Sequence, residues 1–302
     1  MHRRGFLGLA LAMGAAALTE GCVTISPLAT TGGFPVNTAF NLTQSATWSR
    51  MKSRNGQNGT GQIIIGVKGD QPGLGWYDAK SKSYSGFDIL IAQLVAAGLG
   101  FAPSQILFNV VASQDRETEL ENQALDLIVA SYSYSAPRAK LVDFAGPYLT
   151  TPEALLVKKS NSSIAGLNSI NDSMKPCEVS NSTLYSINGV TLPNAVARNT
   201  YGECATAVQA GGADFVYSDY ALLLGYASQS PAAFKVIDTN ESVQHYGIGL
   251  PLGDDALKTA INTILGNAFT DGTWRAIFNA SLAPEGFKAD PPKIDDWGSA
   301  TS

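Results

Sequence analysis

The sequence predicts an α/β fold of two lobes, and three observations carry this. Between residues 63 and 130 short apolar runs alternate with stretches of helical periodicity, as in a parallel sheet flanked by helices. An internal echo sets residues 124–131 against residues 212–219: in each, an acid (Asp126, Asp214) enters a short apolar strand and a polar group (Ser131, Asp219) emerges five residues later. The 302 residues also suffice for two cores. Two lobes built alike, each aiming polar groups from strand ends, imply a cleft between them. In open α/β sheets ligands bind beyond the carboxyl ends of strands.

In chain order, residues 1–22 read as an export leader. Arg3 and Arg4 precede an apolar run over 6–18 that is too short to span a bilayer. Arg3-Arg4-Gly5-Phe6-Leu7 resembles a twin-arginine signal. Cys22 closes a stretch that looks like a bacterial lipoprotein cleavage box with lipid on Cys22, ordinary cleavage being the alternative. Residues 23–59, rich in Thr, Ser, Gly and Asn, read as a flexible linker. An arm packed over 35–52, where Phe40, Leu42 and Trp48 occur, is the other reading.

The folded unit begins with a buried strand, Ile63-Ile64-Ile65-Gly66-Val67. The glycines of the loop 69–75, Gly73 among them, permit close approach of backbone to a ligand. No Gly-Lys-Ser/Thr ending follows, so this is not a phosphate loop. Gly86-Phe87-Asp88 opens a helix to about Leu99, with Ile91, Leu94 and Val95 at core spacing. A strand over 106–111 and a short helix after Arg116 follow. Residues 154–157, 177–179 and 215–217 read as strands, and 205–209 as a helix. The stretch 236–250 reads as a strand, an irregular piece and a return strand, and 254–282 as helical.

Hydrophobic residues make up 45% and charged residues 15%, which marks a folded protein. The net charge of -5 argues against a nucleic-acid partner. Two histidines and three cysteines are too few for a zinc or iron–sulfur site of usual spacing. No metal or cofactor is expected. A histidine-based nucleophilic triad would have to use His245.

The richest stretch is 125–148. The strand over 127–130 ends in a comb of hydroxyls, Ser131, Ser133 and Ser135, with Tyr132 and Tyr134 between. Pro137 and Arg138 open a short helix, and Ala145-Gly146-Pro147 reads as a sharp stop. Hydroxyls and one arginine at a strand end make a carboxylate receptor, since Arg offers a planar, permanently charged fork. The plainer alternative has the serines capping the helix and Arg138 in a surface ion pair.

Over residues 62–285 these marks resemble family 3 of the bacterial extracellular solute-binding proteins, the polar amino-acid binders of ABC importers. The marks are Gly86-Phe87-Asp88, Asp126-Leu127-Ile128, Ser135-Ala136-Pro137-Arg138, Asp143-Phe144-Ala145-Gly146-Pro147-Tyr148, Tyr246-Gly247-Ile248-Gly249 and Asp271-Gly272-Thr273-Trp274. The loop Asp70-Gln71-Pro72-Gly73-Leu74-Gly75 looks more narrowly like the glutamate-binding lipoproteins of actinobacteria. The resemblance implies a periplasmic-binding-protein-like type 2 fold with a hinge. Lobe one spans 60–153 and 246–290, lobe two is inserted over 154–245, and 291–302 is a tail. It implies a monomer, lipid-anchored on the outer face of the cell membrane, that captures glutamate or aspartate, with glutamine or asparagine as alternatives. An ABC permease in the membrane is the implied partner.

The resemblance also assigns roles. Arg138 matches the arginine that grips the ligand α-carboxylate. Ser131 and Ser133 share that group or the amine. Asp219 pairs with the α-amino group. Ser182 and Thr183 reach the ligand from lobe two. Arg116 faces the side-chain carboxylate of acidic ligands. Asn181 stands where a glycine is usual and Ser135 where threonine is frequent. Leu90 stands where an acid often follows the Gly-Phe-Asp mark. The charge count agrees: a zwitterion needs one cation and one anion, so Arg116 would be uncompensated in a closed cleft unless the ligand brought a second anion. A salt bridge of Arg116 to Glu117, Glu119 or another acid outside the pocket is the competing reading. Cys177 and Cys204 would lie in lobe two outside the cytoplasm, where disulfides persist, and related actinobacterial sequences carry this pair. Two buried thiols are the alternative. Rival functions are a sensor feeding a signalling system and a dehydratase or murein lyase of related fold. No motif for the latter stands out, and the chain is read as a non-enzyme.

Overall fold

The structure, a computed structural model, describes residues 33–56, 59–182 and 192–298. The leader, Cys22 and Thr183 lie outside the described residues. The described chain opens with an arm that docks on the first lobe through helix α1 (Ala46–Ser53). Ser45 caps α1, its hydroxyl accepting from the Trp48 amide. Phe34, Trp48 and Met51 are buried, and the Trp48 indole donates to the Leu99 carbonyl at 3.0 Å. Arg50 and Arg54 both pair with buried Asp126. The linker expected over 23–59 is therefore corrected over the described residues 33–56. The apolar surface buried here offsets the entropy of ordering the arm, and two arginines fix its register.

Strand β1 (Ile63–Val67) is followed by helix α2 (Phe87–Gly98), strand β2 (Ile106–Val110), helix α3 (Arg116–Glu121) and strand β3 (Leu127–Ile128). β1 lies between β2 and β3 and is parallel to both. A small antiparallel sheet of Asp70–Gln71, Gly75–Asp78 and Ser83–Ser85 carries the glycine loop. Strand β4 (Val142–Lys158) then leaves this half of the molecule. Strands β5 (Pro176–Val179) and β6 (Val196–Arg198), helix α4 (Tyr201–Ala210), strand β7 (Phe215–Asp219) and helix α5 (Tyr220–Gln229) build the second half. Strand β8 (Phe234–Pro251) returns, and helices α6 (Asp255–Thr270) and α7 (Thr273–Ser281) pack on the first half. The result is one eight-stranded sheet in the order β6-β5-β7-β4-β8-β3-β1-β2. Among the described strands, only the antiparallel pair β4 and β8 is long enough to serve both halves.

Two local expectations are corrected. Ala145-Gly146-Pro147 does not stop the chain, because β4 runs through it. Pro147 has no N–H to give, so the ladder slips there, with a register shift opposite Gly247. The Gly146 amide donates instead to the Asn262 side chain, and its carbonyl accepts from the Asp295 amide. The irregular piece expected within 236–250 shrinks to a register shift between Asp238 and Val243 inside continuous β8. Helices α1 and α5 had no counterpart in the sequence reading.

The internal echo is structural. The Asp126 amide donates to the Ile64 carbonyl at 2.8 Å while its carboxylate accepts from the Ile64 amide at 2.8 Å. Asp214 repeats both bonds with Lys175, each at 2.7 Å. In each half the acid clamps a strand to its parallel neighbour, β3 to β1 and β7 to β5. This fixes where each strand's far end points. A disulfide joins Cys177 in β5 to Cys204 in α4, with Cα atoms 5.4 Å apart.

Two outcomes follow. Trp48→Ala should destabilise the protein by about 3–5 kcal/mol in denaturant melts, as for a buried aromatic that also loses a hydrogen bond; a loss within error would show that the arm is dispensable to lobe one. Intact-mass analysis of the chain from residue 23 should read two hydrogens below the fully reduced mass. Two alkylatable thiols would refute the bridge.

Candidate functional site

The two echoing strands point their ends into one cavity between the halves. From the first half come Arg116, Ser131, Ser133 and Arg138; from the second, Ser182 and Asp219. Six of the sequence-expected residues thus line one cavity. Gly73 is not among them: the loop reaches the cavity through Gln71. Gly73 turns at the foot of the loop with φ 77°, its carbonyl accepting from the Phe87 amide and its face against the Glu285 carboxylate. A glycine-rich loop signalled close backbone approach, and the partner approached is Glu285. Lys68, Ser113, Tyr201 and Leu222 also line the cavity and went unread in the sequence.

Asp219 occupies the N-cap position of α5 yet does not cap it. Thr151 takes that duty, its hydroxyl accepting from the Ala221 amide at 3.0 Å. The carboxylate is thereby released toward the cavity. Its Oδ2 accepts from the Tyr246 hydroxyl at 2.6 Å. Its Oδ1 is buried and has no hydrogen-bond partner among the described residues. Burial pushes the acid up to about 7, against the pull of Tyr246, with nearby Glu153 adding to the rise.

The cations behave as mirror images of this acid. Arg116 is buried and donates to the Ser113 carbonyl at 3.1 Å and, more weakly, to the Ala130 carbonyl at 3.5 Å. Lys68, also buried, donates to the Val111 carbonyl at 2.8 Å and the Ser113 hydroxyl at 2.9 Å. Neither forms an ion pair with a carboxylate among the described residues. The salt bridge weighed for Arg116 is absent because Glu117 turns elsewhere, accepting from the Tyr132 hydroxyl at 2.6 Å and meeting Arg138 Nε at 3.3 Å. Burial, then repulsion by Arg116, brings Lys68 down to about 7. Burial and Arg138 bring Arg116 down to about 10.

Arg138 bridges the halves. One terminal nitrogen donates to the Ser133 carbonyl and the other to the Asn181 carbonyl, both at 2.8 Å. Asn181 has φ 57°, the left-handed conformation for which glycine is the usual choice and which Asn tolerates. Ser131 is left-handed as well, φ 46°. Buried Asp88 holds it there by accepting from its amide at 2.7 Å and its hydroxyl at 2.9 Å, with Tyr148 donating to the other oxygen. The Ser131 hydroxyl is thus spent on the scaffold, its single proton shared between Asp88 and the Gln71 side-chain oxygen, the latter at 2.8 Å. Burial lifts Asp88 to about 6.

Chemically, this wall offers two buried cations satisfied only by neutral oxygens, a third cation spanning the cleft, and one carboxylate oxygen without a donor. It can hold a compact molecule with an ammonium group and more than one anionic group.

Comparison with known proteins agrees with this geometry. Residues 63–282 match the family described as bacterial extracellular solute-binding proteins, family 3. The chain is 32% identical over 236 residues to the glutamate-binding protein GluB of Corynebacterium efficiens, covering 74% of this chain and 80% of that protein. It is 30% identical over 219 residues to the ABC transporter glutamine-binding protein GlnH of Bacillus subtilis, covering 72% and 80%. Among solved structures, an ancestral arginine-binding protein bound to glutamine superposes with TM-score 0.67 at 26% identity, over 73% of this chain and 97% of that one. The solute receptor for L-cysteine of Neisseria gonorrhoeae superposes with TM-score 0.71 at 25% identity, over 80% and 97%. The shared architecture is the two-lobed α/β fold with a cleft. With its family match spanning the folded unit and its polar cavity at the ends of echoing strands, the chain belongs to the bacterial extracellular solute-binding proteins, family 3.

Proposed function

We propose that this protein captures an acidic amino acid, glutamate or aspartate, and delivers it unchanged to an ABC permease. It does so outside the cytoplasm, anchored through lipid on Cys22. The observation that carries the substrate is the pair of buried cations, Arg116 and Lys68, without a carboxylate partner among the described residues. In this reading the ligand ammonium meets the free Oδ1 of Asp219, and Arg138 with Ser133 and Ser182 takes the α-carboxylate. Arg116 and Lys68 take the second carboxylate. A neutral amide in that place would leave two buried cations facing a dipole, which costs several kcal/mol per unpaired charge. The similarity to GluB supports the same substrate class. Closure would turn on β4 and β8 where they cross near Glu153, lobe one being 60–153 with 246–290 and lobe two 154–245.

Thermal-shift screening of the twenty amino acids tests the reading. Glutamate or aspartate should raise the melting temperature by several degrees, since ligand at 100 times its Kd adds about 2.7 kcal/mol. A shift only with basic or apolar amino acids would overturn it. Arg116→Ala should weaken glutamate by roughly 10- to 150-fold, the worth of a charge-assisted hydrogen bond, and glutamine far less. Equal losses in calorimetry would take Arg116 away from the second carboxylate.

The pH dependence has a definite sign. The ligand ammonium stabilises ionised Asp219, which sits at about 7 when empty, so binding releases a proton below that pH. The second carboxylate stabilises charged Lys68, also at about 7, so binding takes up a proton above it. Affinity should peak near neutrality and fall on both flanks, toward about tenfold per pH unit on each. Calorimetry in buffers of different ionisation enthalpy should read release at acid pH and uptake at alkaline pH; no exchange at either would contradict these roles.

A further inference from the structure

The side chain that places the two arginines is one the ligand would not touch. Tyr132 is fully buried behind the cavity wall. The guanidinium carbons of Arg116 and Arg138 lie 4.2 Å and 5.2 Å from the centre of its ring. Both distances are within cation–π range, where the ring's quadrupole attracts the charge. The Tyr132 hydroxyl donates to Glu117, and the same Glu117 oxygen meets Arg138 Nε. One aromatic ring therefore serves two like charges and holds the anion that partly screens one of them.

Two guanidinium groups this near repel each other, and neither can relax into water. The ring attracts both charges and offsets part of that repulsion. It is wedged by Phe144, with ring centres 4.7 Å apart, and by Gly249, where an added Cβ would fall 2.9 Å from the Tyr132 ring. The ring's position, and through it the spacing of the guanidinium groups, is set by strands β3, β4 and β8.

We propose that Tyr132 is a positioning residue for ligand selectivity: its ring fixes Arg116 and Arg138 at the separation that suits the two carboxylates of one dicarboxylic amino acid. This rests on the acidic-ligand reading above, and it extends that reading from the groups that bind to the group that spaces them. It accounts for a tyrosine with both neighbours, Ser131 and Ser133, on the cavity.

The test compares Tyr132→Leu, Tyr132→Phe and Gly249→Ala with the native chain, using glutamate and glutamine in calorimetry. Tyr132→Leu removes the ring and should cut the glutamate-to-glutamine ratio by about tenfold, the scale of a desolvated cation–π contact. Tyr132→Phe restores the ring and should restore most of the ratio. Gly249→Ala displaces the ring without deleting it and should lower the ratio with the melting transition still cooperative, so the test survives if the leucine variant does not fold. The arginine Nε–H resonances give a readout that needs no ligand. In the native protein those of Arg116 and Arg138 should be displaced by the ring current, and the displacement should vanish in the leucine variant and persist in the phenylalanine one. Losses of glutamate and glutamine affinity in equal measure, or resonances indifferent to the ring, would overturn the proposal. If the native chain ignored glutamate while the resonances followed the ring, the ligand reading would fall and the positioning role would stand.

Discussion

One carboxylate oxygen without a donor among the described residues governs this structure. Asp219 Oδ1 is buried, and its neighbour Oδ2 is held by Tyr246. A buried acceptor with no partner costs free energy that folding must supply from elsewhere. A protein tolerates that cost where a ligand later supplies the donor. The cations opposite present the same situation with the sign reversed. Arg116 and Lys68 are anchored on carbonyls and a hydroxyl, which satisfy their N–H groups without cancelling their charge. The cavity is thus electrostatically incomplete in a patterned way, and the acidic zwitterion proposed above would supply the opposite charges.

The rest of the fold keeps that incompleteness from relaxing. Asp126 and Asp214 clamp the strands that lead to the cavity, one in each half, by the same pair of backbone bonds. Asp88 holds Ser131 in a left-handed conformation. Thr151 caps α5 so that Asp219 need not. The arm over 33–56 adds Arg50 and Arg54 to Asp126, so a segment remote from the cavity stiffens the base of β3.

Much of this was legible in the sequence because it rests on local pattern. Short apolar runs bounded by polar residues gave β1, β3 and β7, and the echo of Asp126 with Asp214 was visible as repeated letters. Arg116, Ser131, Ser133, Arg138, Ser182 and Asp219 were readable together through resemblance, and the structure gathers them on one cavity. What stayed hidden depends on partners distant in the chain. Lys68 carries no signal of its own in the sequence, and only the fold brings it to Val111 and Ser113. Tyr132 stands in the sequence only as a residue between two serines, and only the packing shows two guanidinium groups against it. Gly73 failed for the converse reason: a flexible loop announces that something comes close, without saying what. The arm looked like a tether because Ser, Thr and Asn outnumber its few anchors, yet Trp48 and two arginines suffice to dock it.

A crystal structure of the protein grown with L-glutamate tests the central claim most directly. The account predicts the ligand ammonium within hydrogen-bond distance of Asp219 Oδ1, and one carboxylate shared by Arg116 and Lys68 while the other faces Arg138. Glutamate bound elsewhere, or bound here with its side-chain carboxylate turned to solvent and away from residues 68 and 116, would contradict it.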